Sequence, residues 1–208
     1  MDTEKATEEL RVIRQLMERP IRFSTMSGLS GIWAGAAALL GVALDFFVTG
    51  RFRRDGDLAL WINGGTWTGV FLAAFAGVWL LTRRRERQQG MPAWSRIKTR
   101  ILLTILPPFL GGVGLTVIVL LRQCLLHSPA SPAQFGLVPA IWMLFYGAAL
   151  WQLGEFSPCE VRGLGVAFLV AGLVAAAAFQ SCPYLALGAT FGGFHVVYGI
   201  VVWIRYGG

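Results

Sequence analysis

The chain has 208 residues, 55% of them apolar and only 14% charged, a balance outside that of soluble globular domains. With a mean hydropathy of +0.61, it reads as a polytopic membrane protein rather than a water-soluble enzyme or a disordered chain. The net charge of +7 comes from basic residues flanking apolar runs, so no nucleic-acid partner is expected.

Residues 3–19, "TEKATEELRVIRQLMER", begin acidic and end basic. Leu10, Ile13, Leu16 and Met17 fall at helical spacing, and Pro20 ends the pattern. A short amphipathic helix within residues 1–25 is predicted, lying on the cytoplasmic membrane surface or docking a soluble protein. It lacks the form of a cleavable signal peptide, because the first apolar run starts only near residue 26. Apolar stretches of about 20 residues then follow, each able to cross a hydrocarbon core of ~30 Å. They run near 26–49, 58–82, 101–122, 135–154, 163–180 and 184–204, so residues 26–208 are expected to form an all-α, six-helix transmembrane bundle.

Lys and Arg near span ends favour the cytoplasmic side. With the N-terminus inside, all of the 18 basic residues except Arg51, Arg53, Arg54 and Arg122 fall on inner segments. Both termini are therefore expected in the cytoplasm. The richest inner segment, "TRRRERQQGMPAWSRIKTR", gathers Arg83, Arg84, Arg85, Arg87, Arg96, Lys98 and Arg100 around Trp94. That composition suits anionic headgroups and the interfacial aromatic belt, with a protein partner as the alternative.

Within the spans, small residues recur in "SGLSGIWAG", "FLGGVG" and "FGGFH", as expected where helix backbones approach closely in lipid. Pro107 and Pro108 remove or obstruct two backbone bonds, so the third span is expected to kink or break. "FYGAALW" in the fourth span and "VYGIVVW" in the sixth share Tyr-Gly-x-x-x-Trp, at Tyr146, Gly147, Trp151 and Tyr198, Gly199, Trp203. These two spans run in the same direction, which hints at parallel repeats.

"IRQLMERPIRFSTMSGLSGIWAG" near the start and "GFHVVYGIVVWIRYG" near the end resemble a family of small bacterial six-span proteins. The resemblance covers about a third of the chain, together with the span count. It implies a bacterial inner-membrane location and supplies no catalytic residues.

His195 lies halfway along an apolar span, and an ionisable group at that depth is a candidate for function. It is expected to face the bundle interior as a neutral imidazole beside Gly192, Gly193 and the third span. Its bond would go to Tyr198, to Tyr146, or to a carbonyl freed by Pro107 and Pro108. No second deep histidine exists to complete a two-histidine haem; a single haem or pigment on His195 is the cofactor alternative to none. No GxSxG, HExxH, Walker or dinucleotide pattern occurs, and Asp45, near the outer end of its span, is explained by pairing with Arg51 or Arg53. No enzyme is expected. Cys124 and Cys182 share the outer side and are disulfide candidates if their Cα atoms come within about 7 Å; two unpaired thiols are the alternative.

The sequence thus leads to a non-enzymatic accessory or regulatory membrane subunit, with oligomers open. A small-solute or proton-coupled transporter centred on Pro107, Pro108 and His195 is the second reading, and a cofactor-carrying electron-transfer subunit the third.

Overall fold

The structure is a computed structural model that describes residues 27–49, 57–126, 132–155 and 157–206. The expected amphipathic helix of residues 1–25 lies outside the described residues. Among the described residues all regular structure is helical. The elements are α1 (Gly28–Thr49), α2 (Asp57–Gln88), α3 (Arg96–Leu126), α4 (Pro132–Leu153), α5 (Cys159–Ala178), α6 (Pro183–Leu187), a π-helical turn (Gly188–Phe194) and α7 (His195–Tyr206). The last three elements form one continuous span, giving six segments long and apolar enough to cross a membrane. The protein is a multi-pass membrane helix bundle.

Two helices outrun their apolar stretches. α2 continues through the arginines to Gln88, and α3 starts at Arg96, because leaving the hydrocarbon does not end a helix. The α2 end is marked instead by Gly90, whose φ of 66° reverses the chain while the Met91 amide bonds the Glu86 carbonyl at 2.9 Å. The expected break at Pro107 and Pro108 does not occur: both prolines lie inside an uninterrupted α3. Spans tolerate proline where neighbours support the helix, and here Pro108 is buried and Phe109 stacks on Phe71 of α2 at 5.4 Å.

α1 packs between α2 and the sixth span, and α4 packs between α3 and α5. The core lies where α4, α5 and the sixth span meet, around the fully buried Met143 and Phe168. α2 and α3 stand at the flanks; none of the apolar window of α2 is buried.

The Tyr-Gly-x-x-x-Trp repeat is matched by a repeated packing unit. A Cβ on Gly147 would fall 2.9 Å from the Gly165 carbonyl and 2.9 Å from the Leu169 amide of α5. A Cβ on Gly199 would fall 2.6 Å from the Gly28 carbonyl and 2.5 Å from the Ile32 amide of α1. Seven residues away on the partner helices the match recurs. A Cβ on Gly172 would meet Leu144 and the Ala140 carbonyl, and one on Gly35 would meet Val196 and the Gly192 carbonyl. Thus α4 sits on α5 as the sixth span sits on α1, backbone to backbone, as small residues permit in lipid. Pairing of the sixth span with α1 rather than with its hairpin neighbour α5 is the feature the repeated motif did not convey.

Candidate functional site

His195 opens α7 directly after the π-helical turn and is buried at mid-span. π-turns inside helices are frequent at functional sites. Here the turn is lined by Gly192 and Gly193, and the Thr190 hydroxyl bonds back to the Ala186 carbonyl at 2.7 Å. Tyr146, at the middle of α4, brings its hydroxyl to 2.6 Å from His195 Nε2. Aromatic rings close around the pair. Phe168 lies 4.8 Å from Tyr146 and 5.4 Å from His195, Phe191 stacks on His195 at 6.1 Å, and Phe194 meets Phe168 at 5.5 Å.

The second imidazole nitrogen, Nδ1, is buried and has no hydrogen-bond partner among the described residues. The Tyr146 hydroxyl donates to Nε2 in the tautomer with its proton on Nδ1 and accepts from Nε2–H in the other. The pair, enclosed by aromatic rings, is a polar tie between α4 and the sixth span. Among the described residues no carboxylate is paired with the imidazole. Tyr146→Phe is expected to loosen this tie at a cost of about 1–2 kcal/mol, read as an earlier unfolding transition in detergent.

Tyr198, one turn beyond His195, is half-buried against the core and makes no described bond to the imidazole. Among the described residues α3 packs on α4 rather than on the sixth span, which sets Pro107 and Pro108 apart from His195. The lone haem or pigment considered for His195 does not fit these residues. Nε2 is engaged by Tyr146 and the ring is enclosed by Phe168 and Phe191, so a macrocycle would have to displace all three. Among the described residues no group of His, Cys, Asp or Glu is arranged to hold a metal ion.

At the end of the bundle where α2 stops and α3 starts, the structure sorts the basic residues into two classes. Glu86, 1% exposed, takes Lys98 at 2.6 Å and Arg83 at 3.5 Å. Lys98 also donates to the Ala93 carbonyl at 2.7 Å and lies 5.8 Å from the centre of the Trp79 ring. Trp94 bonds the Thr99 hydroxyl at 3.0 Å, and Arg85 bonds the Tyr206 carbonyl at 3.3 Å. Arg84, Arg87, Arg96 and Arg100 are exposed and carry no ion pair among the described residues.

Glu160 of α5 adds a further tie, accepting from Arg205 at 2.6 Å and from the Tyr206 hydroxyl at 3.2 Å. Sequence reasoning missed Glu86 and Glu160 as organising residues. The signal for Glu86 was present, as the one acid in a run of seven bases.

Asp45 is buried in α1 at the opposite end, whereas Arg51 and Arg53 lie outside the described residues. Cys182 is a half-buried free thiol; the side chain of Cys124, its candidate partner, lies outside those described.

Comparison with known proteins finds no matching family model, no similar curated protein and no similar solved structure.

Proposed function

We propose that this protein is a non-enzymatic accessory or regulatory subunit of a bacterial inner-membrane assembly, with both termini in the cytoplasm. The observation that carries this reading is how its conspicuous mid-span groups are used. His195 and Tyr146 face each other inside an aromatic box, and glycines 28, 35, 147, 165, 172 and 199 seat helix on helix. The interior is built to hold shape, and the flanking α2 and α3 remain open to neighbours in the membrane. The side-chain ties at the basic end leave four exposed arginines for the cytoplasmic face of a partner or for anionic lipid.

Mild solubilisation of the tagged protein from its own membranes is expected to yield a stoichiometric membrane partner. Arg84→Gln with Arg87→Gln should weaken that association without shifting the unfolding transition. Recovery of the protein as a lone monomer from native membranes would overturn the reading.

A transporter centred on His195 is the second reading, favoured by the π-helical turn and by the buried Nδ1 without a hydrogen bond. It requires uptake by vesicles that contain the purified protein alone, lost in His195→Phe. A subunit role requires such vesicles to be inactive.

A further inference from the structure

On the membrane-facing side of α4 and α5, Ala148, Trp151, Gln152, Val166 and Leu169 line an open groove of about 300 Å³. Residues 148, 151 and 152 share one face of α4, and 162, 166 and 169 share one face of α5, so the groove runs along both helices up to Arg162. Trp151 lies in the last turn of α4 and Arg162 in the first turn of α5, the level of headgroups rather than of the hydrocarbon core.

The Arg162 guanidinium lies 5.1 Å from the centre of the Trp151 ring. One of its terminal nitrogens pairs with Glu155, while its Nε–H is buried with no partner among the described residues. The side chains of Arg162 and Glu155 are 41% and 64% exposed, and an ion pair so placed gives way readily to a competing anion.

The repeated helix pair supplies an internal comparison. In the register set by Gly147 and Gly199, Ala148 corresponds to Ile200 and Gln152 to Ile204, so the pair formed by α1 and the sixth span has isoleucine side chains where this groove has a small residue and an amide.

We propose that this groove binds one anionic phospholipid, with an acyl chain along Ala148, Val166 and Leu169 and the headgroup phosphate on Arg162 and Gln152. Basic pockets between membrane helices recognise such headgroups, and the arginine already stacked on Trp151 is held in place for a phosphate. This inference concerns a surface separate from the Tyr146–His195 tie and stands whether or not the protein has a subunit partner.

The test uses full-length protein in vesicles of phosphatidylcholine to which brominated phosphatidylglycerol or brominated phosphatidylcholine is added. The Trp151 share of the fluorescence is taken by difference from Trp151→Phe. The anionic lipid is expected to quench that share at about fivefold lower concentration. Arg162→Gln should abolish the preference, and Ala148→Ile should reduce quenching by both lipids. Both positions are half-buried at the groove, and an unchanged unfolding transition checks that the fold is kept. Equal quenching of Trp151 by the two lipids overturns the proposal. So does a preference that survives Arg162→Gln, or one that is lost in Arg84→Gln with Arg87→Gln instead.

Discussion

Gly199→Leu is expected to prevent the sixth span from seating on α1 and to lower stability by about 3 kcal/mol or more. The reason is distance: even a Cβ at this position would lie 2.5 Å from the Ile32 amide and 2.6 Å from the Gly28 carbonyl. Backbone atoms have no other rotamer to adopt, so the two helices must separate. In lipid, where apolar burial between helices contributes little, separation forfeits the packing that holds them together. Gly147→Leu is the equivalent lesion in the other pair and should act alike on α4 and α5. Gly163→Ala meets nothing within 4 Å and should leave stability unchanged or raise it by up to about 1 kcal/mol. Unfolding of the three variants in mixed micelles gives the comparison; a Gly199→Leu variant as stable as the Gly163→Ala variant would falsify the close pairing.

Loss of the Glu86 carboxylate is the second large effect. In Glu86→Ala, Lys98 loses its counter-charge at a position where its side chain is 12% exposed, and Arg83 loses the same partner. Removing one member of a buried ion pair costs about 3–5 kcal/mol, because the remaining charge stays poorly solvated. The turn between α2 and α3 should open, since Lys98 also tethers the Ala93 carbonyl within it. Adding Lys98→Met to Glu86→Ala is expected to restore most of the loss, as no charge is then stranded. Protease access to the Gln89–Ser95 turn, together with the unfolding midpoint, reads both. If the single and the double variant behave alike, the ion pair is not what holds the turn.

The six spans were legible because about 20 apolar residues have few other uses, and the hydropathy of each stretch marks the membrane directly. Helix ends were less so. Arg83–Gln88 and Arg96–Arg100 are helical although hydrophilic, since hydropathy reports solvent and not backbone geometry. For His195 the sequence offered Tyr146 and Tyr198 equally. Which tyrosine meets the imidazole depends on whether α4 or the next turn of the same helix faces it, a fact of tertiary packing. The glycine pairs were half visible: Tyr-Gly-x-x-x-Trp stands out twice, yet its seats depend on the shared seven-residue spacing of Gly28 to Gly35 and Gly165 to Gly172. Glu86 was obscured because charge counting treats a single acid among bases as dilution, whereas burial makes it the centre of the group.

The equivalence of the two helix pairs sets a kinetic hazard during synthesis. α4 and α5 are consecutive and can dock as soon as both have entered the bilayer, but α1 must wait for a span that emerges only after four others. At about 5–20 residues per second that wait is on the order of ten seconds. During it α4 appears with the same kind of seat that α1 is built to fill, so α1 and α5 compete for it. Phe168 favours α5 in that competition. In the shared register it corresponds to Gly31; on α5 it packs on Tyr146 of α4 at 4.8 Å as soon as the two helices meet, and Phe191, Phe194 and His195 close over it when the sixth span arrives. An α1 docked on α4 would offer Tyr146 no such ring, and in the finished bundle it would leave the space empty, a defect of the size that costs about 3–5 kcal/mol when a buried phenylalanine is truncated. The side chain that walls the Tyr146–His195 pair is thus also the one that keeps the first span free for the last.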